Sequence, residues 1–161
     1  MPELGRYEID AGGSTVTFRT RHLFGLAPVR GAFAIRAGTI DVAEPLAGSG
    51  VYAEVEAASF STGNGQRDGN VRSARFLDAG RHPLITFRSE HVDHSVIAGE
   101  LTVRGVTRPV SLAVEQAELS RRAFSVRATT RIDRTEFGVT ASRGLAGRYL
   151  DLTVEVRCVR R

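Results

Sequence analysis

Leu150-Asp151-Leu152-Thr153-Val154-Glu155-Val156-Arg157 alternates without exception: each even position is aliphatic and each odd one is polar. Successive side chains of a β-strand point to opposite faces, so this run is a strand with one dry face and one wet face. The pattern recurs along the chain. Val16 and Phe18 alternate with Thr15, Thr17 and Arg19, and Val29, Gly31, Phe33 and Ile35 with Arg30, Ala32, Ala34 and Arg36. Val51, Ala53, Val55 and Ala57 alternate with Tyr52, Glu54 and Glu56. Ile85 and Phe87, Leu101 and Val103, Val110, Leu112 and Val114, and Phe124, Val126 and Ala128 continue it. About eight strands result. Half-wet strands belong to antiparallel sheets, because parallel sheets are covered on both faces. No amphipathic helix of crossover length separates them, which excludes βαβ units. Gly12-Gly13, Gly38, Gly48-Ser49-Gly50, Asp93-His94 and Gly105 read as the turns between strands.

The fold class is therefore all-β. An antiparallel sheet of this size closes into a barrel or stacks as a sandwich. At 161 residues, with neither repeat nor linker, residues 1–161 read as a single domain. An eight-stranded barrel holds its own side chains or one small ligand. The inward positions carry Phe18, Phe33, Phe60, Phe87 and Phe124, but also Gly31, Ala53, Ala57 and Ala128. A filled core would use larger aliphatics, so the mix fits a cavity better.

One stretch, residues 59–83, breaks the alternation: Ser59-Phe60-Ser61-Thr62-Gly63-Asn64-Gly65-Gln66-Arg67-Asp68-Gly69-Asn70-Val71-Arg72-Ser73-Ala74-Arg75-Phe76-Leu77-Asp78-Ala79-Gly80-Arg81-His82-Pro83. Val71, Arg75 and Phe76 are spaced for one or two short helical turns near residues 63–82. A break of this length between strands is usually functional. Phe60 and Phe76 are expected to dip inward, and Arg67, Asp68 and Arg72 to stay near water as a polar cluster at a cavity mouth. His22, after the first strand, is a further candidate for that mouth, and residues 141–147 for its rim.

All 22 basic residues are arginine, and the net charge is +4, which invites a nucleic-acid reading. The arginines are scattered singly along strands, however, and a solvated outer surface explains them better. No nucleic-acid partner is expected. The N-terminus has no apolar run after a basic start, so it does not read as a signal peptide, and a cytoplasmic location is expected. No apolar run approaches membrane-spanning length, so no stable membrane insertion is expected. Cys158, the only cysteine, excludes an internal disulfide and reads as a buried, inert thiol. His22, His82, His91 and His94 show no metal-type spacing, and His82 before Pro83 reads as a turn residue. There is no nucleophile elbow, phosphate loop or singled-out carboxylate pair. No catalytic residue, metal or cofactor is expected.

The quoted segments, taken in order, resemble the YceI-like family of lipocalin-like polyisoprenoid-binding proteins. The resemblance starts at Tyr7-Glu8-Ile9-Asp10 and runs through Ser14-Thr15-Val16-Thr17-Phe18, Val29-Arg30-Gly31-Ala32-Phe33 and Ser59-Phe60-Ser61-Thr62-Gly63. Arg67-Asp68, Phe76-Leu77-Asp78 and His82-Pro83 follow, then Gly99-Glu100-Leu101-Thr102-Val103-Arg104-Gly105 and Ile132-Asp133-Arg134-Thr135-Glu136-Phe137-Gly138. It implies a closed antiparallel barrel whose apolar lumen binds a long isoprenoid or other long-chain lipid, with no catalytic activity. With strand parity, the expected ligand-lining set is Phe18, Phe33, Val55, Phe60, Phe76, Phe87, Leu101, Phe124 and Phe137, and the polar mouth is His22, Arg67, Asp68 and Arg72. A monomer or weak homodimer is expected. Two departures stand out. Many members carry a secretion signal, and Asn70 stands where the family pattern has a histidine. Two other readings remain open: an enzyme acting on a small hydrophobic substrate, and a ligand-free stress or interaction protein with a filled core.

Overall fold

β-Branched and aromatic residues at alternate positions favour a pleated, half-buried backbone. The computed structural model describes residues 2–22, 27–141 and 147–161, the His22 side chain excepted, and contains ten strands among them. They are β1 (Gly5–Ile9), β2 (Thr15–His22), β3 (Ala27–Phe33), β4 (Ile35–Val42), β5 (Gly50–Glu56), β6 (Leu84–Val92), β7 (Val96–Val103), β8 (Val106–Leu119), β9 (Ala123–Asp133) and β10 (Tyr149–Arg160). One α-helix, α1 (Gly65–Arg72), lies between β5 and β6. The neighbour order β1-β4-β5-β6-β7-β8-β9-β10 closes on itself, because β10 pairs back onto β1. β2 continues β1 along β10, and β3 leads into β4 with only Ala34 between them while pairing with β2. The ten segments are thus eight long antiparallel strands, two of them interrupted, in a closed barrel. Closure pairs β1 and each of β4 to β10 on both sides, whereas β3 pairs β2 on one side and, among the described residues, meets Ser61 in a single bridge on the other.

The break between β1 and β2 has a local cause. Ile9 faces Cys158 while Thr15 faces Glu155, so six steps on the first strand match three on β10. The turn Ala11–Gly13 loops out the surplus. Ser14 repairs the ladder there: its hydroxyl donates to the Asp10 carbonyl at 2.7 Å and accepts from the Arg157 amide at 3.0 Å. In β4 a bulge between Ile35 and Ala37 shifts the inward positions from Ile35 to Gly38, Ile40 and Val42. Gly38 is consequently not the turn that its sequence neighbourhood suggests. It lies inside β4, where a Cβ would run into the Ile9 side chain and the Tyr52 carbonyl.

The wet faces carry cross-strand ion pairs. Arg6 is opposite Asp41, Arg131 opposite Asp151, and Arg127 opposite Glu155, with N–O distances of 2.9, 2.8 and 3.6 Å. Exposed pairs contribute about 0–1 kcal/mol each, so they dress the surface and do not hold the barrel together. The barrel has two distinct ends. At the lower end, where β1 begins and β10 ends, Tyr7 and Phe124 meet edge to face at 4.9 Å beside the fully buried Cys158. The Tyr7 hydroxyl donates to the Glu3 carbonyl at 2.8 Å. At the upper end, the chain from β5 to β6 folds over the barrel and carries α1.

Candidate functional site: an apolar lumen under a helical flap

The dry faces of the strands enclose a cavity of about 590 Å³ whose lining extends from Pro2 and Ser49 at the lower end to Thr62 and Asn70 at the upper end. That volume falls in the range of ligand pockets, roughly 300–1,000 Å³. Twelve residues in β10 give roughly 40 Å of strand at ~3.3 Å per residue. A tilt of about 40° reduces this to about 30 Å along the barrel axis. The space is therefore long and narrow. Most inward side chains of β5 to β8, among them Val55, Phe87, Leu101 and Leu112, are only half-buried although they face inward. Inward residues of β1, β2 and β4, such as Ile9, Val16, Phe18 and Ile40, are buried. One wall is packed and the other lies open to an unfilled interior.

Phe18, Phe33, Val55, Phe60, Phe76, Phe87, Leu101, Phe124 and Phe137 all line this cavity. Strand parity placed most of them, since it fixes which face each shares. Phe18, Phe33 and Phe60 form a cluster near the upper end, with ring centroids 5.2 to 5.8 Å apart. Gly31, opposite Phe18, has no Cβ to obstruct that ring. Phe76 packs with Ile132, Phe137 and Val139, and Leu77 with Phe18 and Phe60. Other lining residues, including Val110, Leu112 and Val114, were legible from the same alternation.

The polar candidates divide differently. Residues 59–61 run beside β3 where β5 has ended: Ala32 and Ser61 exchange backbone hydrogen bonds of 2.9 and 3.0 Å, and the Ala34 amide donates to Ser59 Oγ at 2.7 Å. α1 begins with Asn64 Oδ1 accepting from the Arg67 amide at 3.1 Å. Asp68 is not at the water-facing mouth as its sequence context suggested. It is buried and accepts from the Thr62 amide at 2.9 Å and the Thr62 hydroxyl at 2.6 Å. Burial pushes its carboxyl up, but the Thr62 hydrogen bonds and the charges of Arg72 and Arg67 outweigh that and hold it below the ordinary value. Arg72 donates from Nε to the Phe60 carbonyl at 3.1 Å, so it is a tether. Arg67 lines the cavity and donates from Nε to Thr62 Oγ1 at 2.9 Å. The His22 side chain and residues 142–146 of the expected rim lie outside the described residues.

Two lining groups escaped the sequence reading. Arg134 is buried, donates from Nε to the Gly147 carbonyl and from Nη1 to the Val139 carbonyl, both at 2.7 Å, and stands 5.6 Å from the Phe76 ring. His94 reaches the lower end of the cavity, while His91 bonds Asp93 at 3.1 Å. Arg134 lies in the Ile132–Gly138 segment that carries the family resemblance and His94 in a turn signal, but neither context assigns a side chain to the lumen. His82 is a turn residue, its amide donating to the Asp78 carbonyl. Among the described residues no three His, Cys, Asp or Glu side chains gather as a metal site would need. Burial pushes the Cys158 thiol up to about 12.

A closed eight-stranded meander around a long dry lumen, with a helical flap at one end, is a lipocalin-like barrel. The chain belongs to the YceI-like domain family, whose model matches residues 7–158. Protein YceI of Escherichia coli O157:H7 is 33% identical over 166 aligned positions, covering 95% of this chain and 86% of the relative. A UPF0312 protein of Azotobacter vinelandii is 32% identical over 168 positions, with 96% and 86% covered. Two solved structures share the fold. A polyisoprenoid binding domain from Saccharophagus degradans, implicated in plant cell wall breakdown, has a TM-score of 0.77 at 15% identity, with 99% of this chain and 100% of that chain covered. BcnA of Burkholderia cenocepacia has a TM-score of 0.75 at 20% identity, with 92% and 98% covered.

Proposed function

We propose that this protein binds a long-chain isoprenoid or a similar amphiphilic lipid in its lumen and performs no chemistry on it. The unfilled apolar cavity of about 590 Å³ carries this reading. An isoprenoid tail offers only methyl, methylene and olefinic surface, which asks for burial and little direction. Each buried CH₂ contributes about 0.8 kcal/mol. Ten such groups give roughly 8 kcal/mol gross, enough to offset a substantial part of the cost of association. Family membership and the likeness to a protein described as a polyisoprenoid binding domain support the same reading. A filled-core interaction protein would not leave the β5–β8 wall half-buried, and no observation favours an enzyme.

The test is an organic extract of the protein purified from its own host, analysed by mass spectrometry. The expected result is one chain-like lipid at close to one per protein. An extract with no lipid, from protein that also fails to take up geranylgeraniol saturably, would overturn the proposal.

A further inference from the structure

The polar groups of the lumen are unevenly placed. Thr62, Arg67, Asn70 and Arg134 line its upper end. The one carboxylate among the described lining residues, Asp93, lies in the turn between β6 and β7 at the lower end, its oxygens held by Ser95, Val96 and His91. Asp68 is close to Arg67 in sequence but does not line the cavity; its oxygens are occupied by Thr62. Arg67 and Asn70 are three residues apart on α1 and share one face, with Val71 beside them. Resting on the lipid-binding reading above, we propose that the ligand's head is an acid, either a carboxylate or a phosphate, held at the α1 end of the lumen by Arg67.

The geometry suits that head. Asp68 accepts from the Thr62 hydroxyl, and that hydroxyl in turn accepts from Arg67 Nε at 2.9 Å. This chain of bonds fixes the guanidinium in orientation. Among the described residues neither Nη1 nor Nη2 of Arg67 makes a protein hydrogen bond, so its planar fork is available to two oxygens of one head. Arg134 brings a second positive charge to the same end while its Nε and Nη1 hold the Gly147 and Val139 carbonyls. An uncharged alcohol would leave the two free Nη groups of Arg67 without an acceptor from the ligand. Asn70 adds a neutral donor beside Arg67 and no charge of its own.

Three probes with one tail separate the heads: geranylgeraniol, geranylgeranoic acid and geranylgeranyl monophosphate, titrated into the full chain at physiological salt. At least one acid binds tenfold or more tightly than the alcohol, about what one charge-assisted hydrogen bond supplies. The tighter of the two acids identifies the head. In Arg67→Gln the ratio of acid to alcohol affinity falls from tenfold or more to within about twofold of one. Asn70→Asp leaves the Arg67–Thr62 bond in place and lowers the ratio of acid to alcohol affinity. If the alcohol binds as tightly as both acids, or if both variants weaken all three probes alike, the acid head is wrong and lipid binding stands. If none of the three binds, the reading beneath it fails as well.

Discussion

Asp68 shows how much one side chain does at the flap. It joins α1 to residues 60–62 through Thr62, and its carboxyl sits below its ordinary value of 3.8 when the protein is folded. A folded value below the unfolded one means that the stabilisation is complete above about pH 4 and is lost as pH falls through the folded value. Asp68→Ala should cost ~1–3 kcal/mol near pH 7, the usual penalty for stranding buried hydrogen-bond partners. Urea unfolding at neutral pH and in acid measures this: the difference from wild type should shrink in acid. Equal midpoints at neutral pH would contradict the assignment. Cys158 gives a second check. With its thiol pushed up to about 12, almost no thiolate exists near pH 8, so native protein should resist iodoacetamide and label only on unfolding. Rapid native labelling would show that the lower end is open. The burial of Asp68 was not legible in sequence, because a carboxylate in a Gly-rich polar stretch reads as solvated. Its partner Thr62 is set by the return of the chain past β3. Phe33 and Phe87 were legible, because period two alone assigns their face.

α1 has eight residues, including Gly65 and Gly69. Isolated helices shorter than about 12–15 residues are marginal in water, so this one depends on its tethers. Elements of that kind open before the barrel does. Ligand-free protein should therefore exchange the amides of residues 63–82 faster than those of β9 and β10. An occupied lumen should slow them, since Phe60, Phe76 and Leu77 would then rest on lipid. Hydrogen exchange with and without bound lipid decides it. Protection confined to distant strands would make the segment a structural insert and move the entrance elsewhere. Two elements were poorly read in sequence, for reasons of length and register. β1 has five residues and shows only Tyr7 and Ile9 on its dry face, too few to establish a period. In β4 the bulge reverses parity after Ile35, so alternation seemed to stop and Gly38 looked like a turn.

Across the whole molecule, closure and hollowness have separate sources. Closure comes from β1 pairing both β4 and β10. Hollowness comes from the inward choices on β5 and its neighbours: Ala53, Val51 and Val55 do not fill a space bounded opposite by Val and Leu. Enlarging one of them should fill the space without straining the fold. Ala53→Phe should keep or raise the melting temperature, because it adds apolar contact in a void, while lowering lipid uptake several-fold. A melting temperature that drops sharply would mean the site is already packed, since overpacking costs about 1–3 kcal/mol. Alternation along eight strands made an antiparallel all-β sheet legible and left barrel or sandwich open; the closed barrel followed from the family resemblance. No single residue made the lumen legible, because a cavity is what the inward side chains together leave empty.

The most direct measurement is a crystal structure of the protein grown with geranylgeraniol or its acid. Continuous chain-like density is expected along the barrel axis, passing Phe18 and Phe60 at the upper end and Leu101 and Leu112 on the open wall, with the β-strands unmoved. A lumen closed by its own side chains, with lipid absent or lying only on the outer surface, would contradict it.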